Sequence, residues 1–506
     1  MTDAGAVSTT PIEALHGQWI IGQAVPTPSE SFRPIQLHSA SLLVHASLRS
    51  LPVKASGMQV GWLLGSPISL CKGQFLHSEY SVDEELIDPD LWVEKWIYGL
   101  AGSFLFILDH DKQRRLYLDC AGSLSAVYDQ ESRRVGATAE ILFAEQEYRE
   151  RLLNKRRRDL EVSADGWISG HLTAHRGLSR LIANHYLDLV TFQMIRHWPR
   201  GSLIKGLSAD EAAERISNAA IPTIRAAAGA PPAFMALTGG YDTRVLLSLA
   251  RALREQVEFL TIAAPGADRD IYIAKQLAFR FGLKHRISPF VQATEGQRQA
   301  WDMRVGHVVT GANRGMHPSL WPLGNAVLVG GVGGEVGRGF LWMDSSESSS
   351  ISATGIIDRL KLAREPDLVN AIQAWLSGMP GGLNALEVLD LAFIELRNSS
   401  WAFGQAYSNP LTVKINPLNS RSAYEAMLGS SPNTRRNNAL FRTVIEQNWP
   451  ELLTIPINRY GDYRDKLERI MLALRRPDKA LRKARQLIRA GARRPRLGQK
   501  GAGHVN

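Results

Sequence analysis

Cysteine is scarce in this chain, and its scarcity excludes several kinds of site. Only Cys71 and Cys120 occur among the 506 residues. Two thiols so far apart cannot build a disulfide framework or a four-thiolate zinc site. We therefore predict that both are small buried side chains, in a protein of the reducing cytosol.

Long apolar runs are also absent. No stretch approaches the roughly 18 uninterrupted apolar residues that a membrane-spanning helix needs. The first ten residues, MTDAGAVSTT, lack the basic segment and apolar run of a secretory signal. We therefore expect a cytoplasmic protein. Its length exceeds that of one ordinary hydrophobic core, which predicts two domains and a tail.

The net charge of +10 does not indicate a basic cleft, because the charge is concentrated near one end. Residues 464–500 carry 14 Lys or Arg and three Asp or Glu, which leaves the rest nearly neutral. The tail has a helical pattern, with Leu481, Ala484, Leu487 and Ile488 on one face. A solvated helix is the main interpretation, and contact with an anionic membrane or polyanion is the alternative.

The hydrophobic pattern changes near residue 201. Residues 16–200 contain short apolar or alternating runs that predict strands. Ser208 and Glu211 form a capping-box pattern that opens an alanine-rich helix. Apolar runs at 233–237, 257–263 and 325–331 then alternate with helical stretches, which predicts a parallel sheet. Residues 352–450 are mainly helical in pattern.

The most informative segment is Leu-Thr-Gly-Gly-Tyr-Asp-Thr-Arg at 237–244, after a predicted strand. Its two glycines permit a sharp turn and close approach of the backbone to a ligand. The helix that follows would point its N–H groups at an anion. Asp242 offers a carboxylate where a phosphate-bound Mg²⁺ would need one. The predicted pyrophosphate cradle consists of Thr238, Gly239, Gly240, Asp242, Thr243 and Arg244.

This segment resembles the S-G-G-x-D-S loop of the PP-loop ATP pyrophosphatases, with both serines replaced by threonine. Within that superfamily the chain resembles asparagine synthetase. Asp270 and the Gly282-Leu283-x-His285 turn match the pattern after the second strand. Residues 330–340, GGVGGEVGRGF, stand where the family has its second loop, G-x-G-x-D-E-x-x-x-G. Residues 102–128 resemble the amidotransferase-type N-terminal sandwich.

The resemblance implies an α/β fold. An N-terminal amidotransferase-like (Ntn-type) β-sandwich over residues 1–200 would be degenerate. A PP-loop (adenine nucleotide α hydrolase-like) parallel-sheet domain over 201–460 would have a helical C-terminal part, before a basic tail at 461–506. It also implies ATP and Mg²⁺ as cofactors, an acyl-adenylate intermediate and amide formation by a carbon–nitrogen ligase. Adenine would lie near Leu237, Ile262 and Gly331, and Asp242 and Glu335 would hold the metal.

Three positions depart from the family pattern. Glutamine-using members carry a cysteine where this chain has Thr2, so we predict an N-terminal scaffold without glutaminase activity. Gly334 replaces the usual Mg²⁺-binding aspartate, with Glu335 beside it. Arg459 stands near the expected catalytic lysine, and Lys466 follows. The predicted catalytic residues are Asp242, Glu335 and Arg459.

The expected substrates are a small-molecule or peptide carboxylate and an amine, with a precursor peptide or biosynthetic partner protein as a further candidate. Three alternatives stay open. One is an intramolecular cyclase, like β-lactam synthetase or the lasso-peptide macrolactam cyclases. The second is a tRNA-modifying enzyme, although the nearly neutral body does not favour a nucleic-acid partner. The third is a non-catalytic nucleotide-binding protein.

Overall fold

The computed structural model describes residues 15–475, except 24, 26, 27, 112, 160–165 and 408–410. These residues form a mixed α/β structure with two mostly antiparallel sheets, one parallel sheet and a helix-rich C-terminal part. The predicted mixed α/β class is thereby confirmed. Thr2 and the predicted tail helix around Leu481 lie outside the described residues. Within the described part, no helix is both long enough and apolar enough to cross a bilayer.

The first half supplies two sheets. Their strands are β1 (Trp19–Gly22), β2 (Phe32–Gln36), β3 (Ser41–His45), β4 (Ser50–Ala55), β5 (Met58–Ser69), β6 (Gln74–Phe75), β7 (Tyr80–Val82), β8 (Leu100–His110), β9 (Gln113–Leu118), β10 (Val127–Asp129), β11 (Arg134–Gly136), β12 (Leu178–Arg180), β13 (His185–Asp188) and β14 (Met194–Arg196). One sheet has the order β12-β10-β11-β1-β3-β2. The other has the order β14-β13-β9-β8-β5-β4-β7, with β6 paired to β5.

Both sheets bury apolar side chains in one continuous core. Trp19 and Val44 from the first sheet and Leu63 and Phe106 from the second are fully buried members of it. The central strand β8 is buried along nearly its whole length, as its apolar sequence predicts. The predicted β-rich character of residues 16–200 is confirmed.

The parallel sheet comes from the second half. Its strands are β15 (Ala233–Ala236), β16 (Glu258–Ala263), β17 (His285–Pro289), β18 (Val327–Val329) and β19 (Val413–Ile415). Their order is β17-β16-β15-β18-β19, and every neighbouring pair is parallel. The predicted runs at 233–237, 257–263 and 325–331 correspond to β15, β16 and β18. Strand β19 has no counterpart in the sequence-based prediction.

Helices connect these strands and cover the C-terminal part. They are α1 (Pro89–Trp92), α2 (Ala139–Leu142), α3 (Glu145–Arg151), α4 (Asn154–Asp159), α5 (Ala209–Ala228), α6 (Tyr241–Leu249), α7 (Asp268–Phe281), α8 (Glu295–Arg304), α9 (Ala312–Met316), α10 (Ala353–Leu360), α11 (Pro366–Ser377), α12 (Ala385–Ala392), α13 (Ser399–Ala406), α14 (Arg421–Gly429), α15 (Pro432–Arg436), α16 (Ala439–Asn448) and α17 (Arg464–Arg475). The predicted capping box at the start of α5 is present, with Ser208 and Glu211 bonded reciprocally.

A buried ion pair joins the two halves. Glu395, fully buried in a π-helical turn, accepts two hydrogen bonds from the Arg196 guanidinium at 2.7 and 2.8 Å. Asn184 and Trp375 donate to the same carboxylate at 3.0 and 2.6 Å. Because every acceptor position is used, Glu395 acts as a structural link between the halves.

Candidate functional site

The two glycine-rich segments follow adjacent strands at the centre of the parallel sheet. Residues 237–240 follow β15, and residues 330–335 follow β18. The chain order runs outward from β15 through β16 to β17 on one side and through β18 to β19 on the other. Open α/β sheets bind ligands at the carboxyl ends of their strands, where the order reverses in this way. The topology therefore identifies this crevice as the candidate site.

The first segment forms the predicted strand-to-helix turn. Gly240 is the N-cap residue of α6, and no side chain caps the first turn. The Thr238 and Thr243 hydroxyls lie 2.9 Å apart, and the Thr243 hydroxyl also accepts from the Thr238 N–H at 3.2 Å. The first N–H groups of a helix have no partner within the helix. The N-terminus of α6 therefore offers donors and a favourable dipole to an anion.

The N–H groups of the two glycines form hydrogen bonds within the protein, whereas the sequence predicted that this backbone approaches a ligand. Gly239 donates to the Asp270 carboxylate at 2.9 Å, and Gly240 donates to the Thr238 hydroxyl at 3.3 Å. In this conformation, the N–H groups that remain available to an anion are those of the first turn of α6. Sequence reasoning missed the contact of Asp270 with the turn, although its position as the third residue of α7, after the neighbouring strand β16, is a usable signal.

Asp242 is the central charged residue of the crevice. Arg338 donates to its Oδ2 at 2.7 Å, whereas its Oδ1 is buried without a hydrogen-bond partner. Burial raises the pKa of Asp242 to about 7, Arg338 opposes this rise and the nearby Glu335 adds to it. A buried carboxylate oxygen without a donor is costly unless a cation or donor reaches it.

The second segment encloses Asp242 from the other side. A Cβ atom added to Gly331 would lie 2.9 Å from the Cβ of Asp242, and one added to Gly334 would overlap its carboxylate. Glu335 accepts from the Gly333 N–H at 3.1 Å. The glycine at 334 therefore makes room for the Asp242 carboxylate. An aspartate at 334, which the resemblance stated above leads one to expect, does not fit this arrangement.

The crevice offers a phosphate-bound Mg²⁺ only part of its oxygen ligands. Asp242 supplies one unpartnered oxygen, and Glu335 is close enough to affect its pKa. No group of three or more His, Cys, Asp or Glu side chains suited to a metal occurs among the described residues. Mg²⁺ commonly binds through one or two carboxylates plus substrate phosphates, so this donor set fits a metal that arrives with a nucleotide.

Substitution of Gly334 tests the close approach of the two loops. We expect Gly334→Ala to displace the Asp242 carboxylate and, if the resemblance to an ATP-cleaving enzyme is correct, to lower ATP turnover roughly tenfold to 100-fold. Gly296→Ala is the matched control, because a Cβ there meets nothing within 4 Å. Turnover and thermal stability should be measured for both variants. Unchanged turnover in Gly334→Ala would contradict the assigned geometry.

Arg244 has a different role from the predicted contact with phosphate. Its guanidinium is fully buried and donates to the carbonyls of Leu452, Ile455 and Pro456 at 2.7, 2.9 and 3.3 Å. This corrects the prediction, because a guanidinium enclosed by three backbone acceptors cannot contact a ligand in this conformation. Arg244 instead holds the C-terminal segment against the first helix of the site.

The same segment brings Arg459 close to the turn. The Asn458 N–H donates to the Gly239 carbonyl at 2.8 Å, so the next residue, Arg459, lies beside the cradle with an exposed side chain. Lys466 is also exposed, near the start of α17. This position leaves the Arg459 guanidinium available to a ligand, and its predicted role stays a prediction.

The remaining predicted residues lie at the carboxyl edge of the sheet. Leu237 is fully buried, and its carbonyl accepts from the Thr261 hydroxyl at 2.6 Å. Ile262 is half-buried near the end of β16, and Gly331 follows β18. His285 lies 2.9 Å from the Thr261 hydroxyl, through its Nε2. Leu237, Ile262 and Gly331 thus lie at the carboxyl ends of the neighbouring strands β15, β16 and β18, whereas His285 is the first residue of β17.

The two cysteines lie outside this crevice. Cys120 is buried as predicted, and burial raises the pKa of its thiol to about 12. A thiol with such a pKa is a poor nucleophile at neutral pH. Cys71 is exposed, which contradicts the prediction of a buried side chain. Its Sγ lies 3.1 Å from the Ser69 hydroxyl, in the turn between β5 and β6.

Comparison with models of known protein families and with curated proteins finds no match to this chain.

Proposed function

We propose that this protein is an ATP-dependent, amide-forming synthetase of the asparagine-synthetase type that activates a carboxylate as its adenylate. The observation that carries the proposal is the pairing of two glycine-rich loops around Asp242, at the point where the strand order reverses. Such a crevice binds nucleotides in many α/β proteins, although fold alone does not define a reaction. The resemblance of the loops supplies the reaction class.

The chain's own groups would mainly bind and orient the nucleotide. The N-terminus of α6 and the hydroxyls of Thr238 and Thr243 would hold the outer phosphates. Arg338 and the exposed Arg459 would neutralise phosphate charge. Asp242, with Glu335, would hold Mg²⁺, which when bound neutralises charge on the phosphates. Catalysis of this kind consists of positioning and electrostatic stabilisation.

The proposed reaction has two steps. A substrate carboxylate oxygen attacks the α-phosphorus, the bond to the β-phosphate bridge breaks, and pyrophosphate leaves. An amine nitrogen then attacks the acyl carbon, AMP leaves with the bonding electron pair, and the amine proton passes to solvent or a base. The products are an amide, AMP, pyrophosphate and a proton.

ATP–pyrophosphate exchange tests the first step without an amine. Labelled pyrophosphate should enter ATP only when a suitable carboxylate is present, because the adenylate must form reversibly. Candidate acids should include small metabolites and peptides with free side-chain carboxylates. ATP binding with no exchange for any acid would instead favour a non-catalytic nucleotide-binding protein.

The two cysteines should be dispensable, because the amine is proposed to come from ammonia, another protein or the substrate itself. We expect Cys71→Ser and Cys120→Ala to keep exchange within about twofold of the unsubstituted protein, since neither thiol lies in the crevice. Ammonia release from glutamine should be absent in all three proteins. Glutamine-dependent ammonia release that either substitution abolished would refute the scaffold role of the N-terminal half.

An intramolecular cyclase is a second candidate, favoured by Thr2 at the position of the family's glutaminase cysteine. A cyclase needs no external amine because its substrate carries both reacting groups. Mass spectrometry distinguishes the candidates, since cyclisation lowers the mass of the substrate by one water whereas intermolecular ligation adds the mass of the amine minus one water.

A further inference from the structure

Helix α17 contacts the rest of the protein through polar side chains of its first turns. The Asp465 carboxylate accepts from the N–H groups of Tyr460 and Gly461 at 2.8 and 2.9 Å. Glu468 forms an ion pair of 3.2 Å with Arg269, near the start of α7. These contacts hold α17 against α7 and against the segment that precedes it.

Another face of α17 is apolar and exposed. Leu467, Ile470 and Met471 have exposed fractions of 51%, 56% and 52%. Their spacing of three and four residues places them on one face of the helix, and Leu474 continues this spacing in the sequence. We call Leu467, Ile470 and Met471 the apolar face of α17. Single exposed apolar side chains are ordinary, but adjacent ones on one face indicate an interaction surface.

Positive charge follows this face immediately in the sequence. Residues 476–506 contain ten Lys or Arg and one Asp, an excess of +9. The chain before residue 464 is nearly neutral, so the basic residues are concentrated next to the apolar face. An exposed apolar helix face beside a strongly basic segment is typical of proteins that bind the surface of anionic membranes.

We propose that the apolar face of α17, together with the basic residues that follow it, docks this protein on a membrane that contains anionic lipids. The apolar side chains would enter the boundary between headgroups and acyl chains, with α17 in the plane of the surface. The Lys and Arg side chains would bind the lipid phosphates. The two contributions complement each other, because charge brings the helix to the surface and apolar burial keeps it there.

Two other occupants fit these observations less well. A second copy of the chain would bring two strongly basic segments together, and three side chains a side are far fewer than the roughly 20 to 30 residues of a stable protein interface. A nucleic acid would bind the basic residues, but its backbone is contacted by cationic and polar groups and its bases stack on aromatic rings. Neither contact uses an aliphatic helix face.

Sedimentation of the full chain with lipid vesicles tests this proposal. Vesicles of phosphatidylcholine alone should be compared with vesicles of phosphatidylcholine and phosphatidylglycerol in a ratio of two to one. We expect at least about tenfold tighter binding to the anionic vesicles at low ionic strength. High ionic strength should remove most of this preference, because salt screens charges at a surface.

Two triple variants test the apolar face. The first combines Leu467→Ser, Ile470→Ser and Met471→Ser. It should weaken binding to anionic vesicles about tenfold or more, because the apolar area that enters the membrane is lost. The matched control replaces three similarly exposed apolar side chains of the N-terminal half, as Met58→Ser, Ile87→Ser and Leu91→Ser. This control should bind like the unsubstituted protein.

A fourfold variant tests the charge. It combines Arg482→Gln, Lys483→Gln, Arg485→Gln and Arg489→Gln in the full chain. It should weaken binding to anionic vesicles about tenfold or more and reduce the effect of salt on the remaining binding. Melting temperatures should confirm that all variants are folded.

Any of four results overturns this proposal. The first is no binding to anionic vesicles, and the second is binding that the serine substitutions in α17 leave unchanged. The third is tighter binding to polyuridine RNA than to anionic vesicles, which would indicate a nucleic-acid partner. The fourth is a dimer in sedimentation equilibrium that the same serine substitutions dissociate, which would indicate a second copy. None of these measurements involves ATP, so their failure would leave the proposed synthetase activity untouched.

Discussion

Asp242→Asn should lower magnesium-dependent ATP turnover about 1,000-fold while the protein stays folded. The amide keeps the shape of the side chain and an acceptor for Arg338, but it removes the charge that a metal requires. Charge stabilisation by a bound metal contributes several kcal/mol, which corresponds to a rate effect of this size. Burial already raises the pKa of Asp242 to about 7. A neutral side chain at this position should therefore change the free energy of unfolding of the nucleotide-free protein little.

Asp367→Asn is the matched control for this prediction. Asp367 also lies in the first turn of a helix, α11, and pairs with Arg156 at 2.6 Å, but it lies outside the crevice. ATP affinity should be measured by calorimetry with and without Mg²⁺, alongside ATP–pyrophosphate exchange. Asp242→Asn should abolish the gain in affinity that Mg²⁺ provides, and the control should retain it. An unchanged magnesium effect in Asp242→Asn would move the metal site elsewhere.

Arg435→Met should destabilise the fold by about 3 to 5 kcal/mol, because it leaves a buried carboxylate without its counter-ion. Arg435 and Asp390 are each 2% exposed and form two hydrogen bonds of 2.8 Å. Arg435 also donates to the Val336 carbonyl, in the second glycine-rich loop. The substitution should therefore weaken ATP binding as well as stability.

The destabilisation caused by Arg435→Met should increase with pH. Burial raises the pKa of Asp390 to about 6 even with Arg435 opposing the rise, and removal of Arg435 should raise it further. A carboxylate with a raised pKa is tolerated at low pH and becomes costly as the pH rises through that value. The loss measured by chemical denaturation should therefore be larger at pH 8 than at pH 5.

The double variant Arg435→Met with Asp390→Leu separates charge from packing. Removing both charges together should recover much of the lost stability, because no ion is left buried alone. ATP affinity should stay reduced, since the hydrogen bond to Val336 is still missing. A double variant no more stable than Arg435→Met would indicate that packing of the guanidinium, which lies 4.2 Å above the Trp342 ring, dominates.

Local patterns predicted the elements around the crevice well. The turn at 238–240 was predicted because its glycines and the flanking apolar run are contiguous. The helical stretches predicted between the apolar runs are present and include α6 (Tyr241–Leu249) and α7 (Asp268–Phe281). Such features depend on neighbouring residues, so a single sequence contains their signals.

Contacts between distant residues could not be predicted in the same way. Arg338 pairs with Asp242 from 96 positions away, and Arg435 bonds to Asp390 from 45 positions away. Strand β19 has the sequence Val-Lys-Ile, so it lacks the apolar run that marks β18, and 83 residues separate it from the end of β18. The sequence also could not reveal that Arg244 turns inward, because an arginine beside a phosphate loop usually suggests a ligand contact.

The inward position of Arg244 makes the turn at 238–240 depend on residues far beyond it. Three carbonyls of the C-terminal segment accept from Arg244, and Asn458 donates back to Gly239. A premature stop after Asp462 would preserve all four bonds, whereas one after Pro450 would leave a buried cation with nothing to bind. Loss of the 56 residues after Pro450 therefore removes these contacts to the turn even when every residue of the two glycine-rich loops is intact.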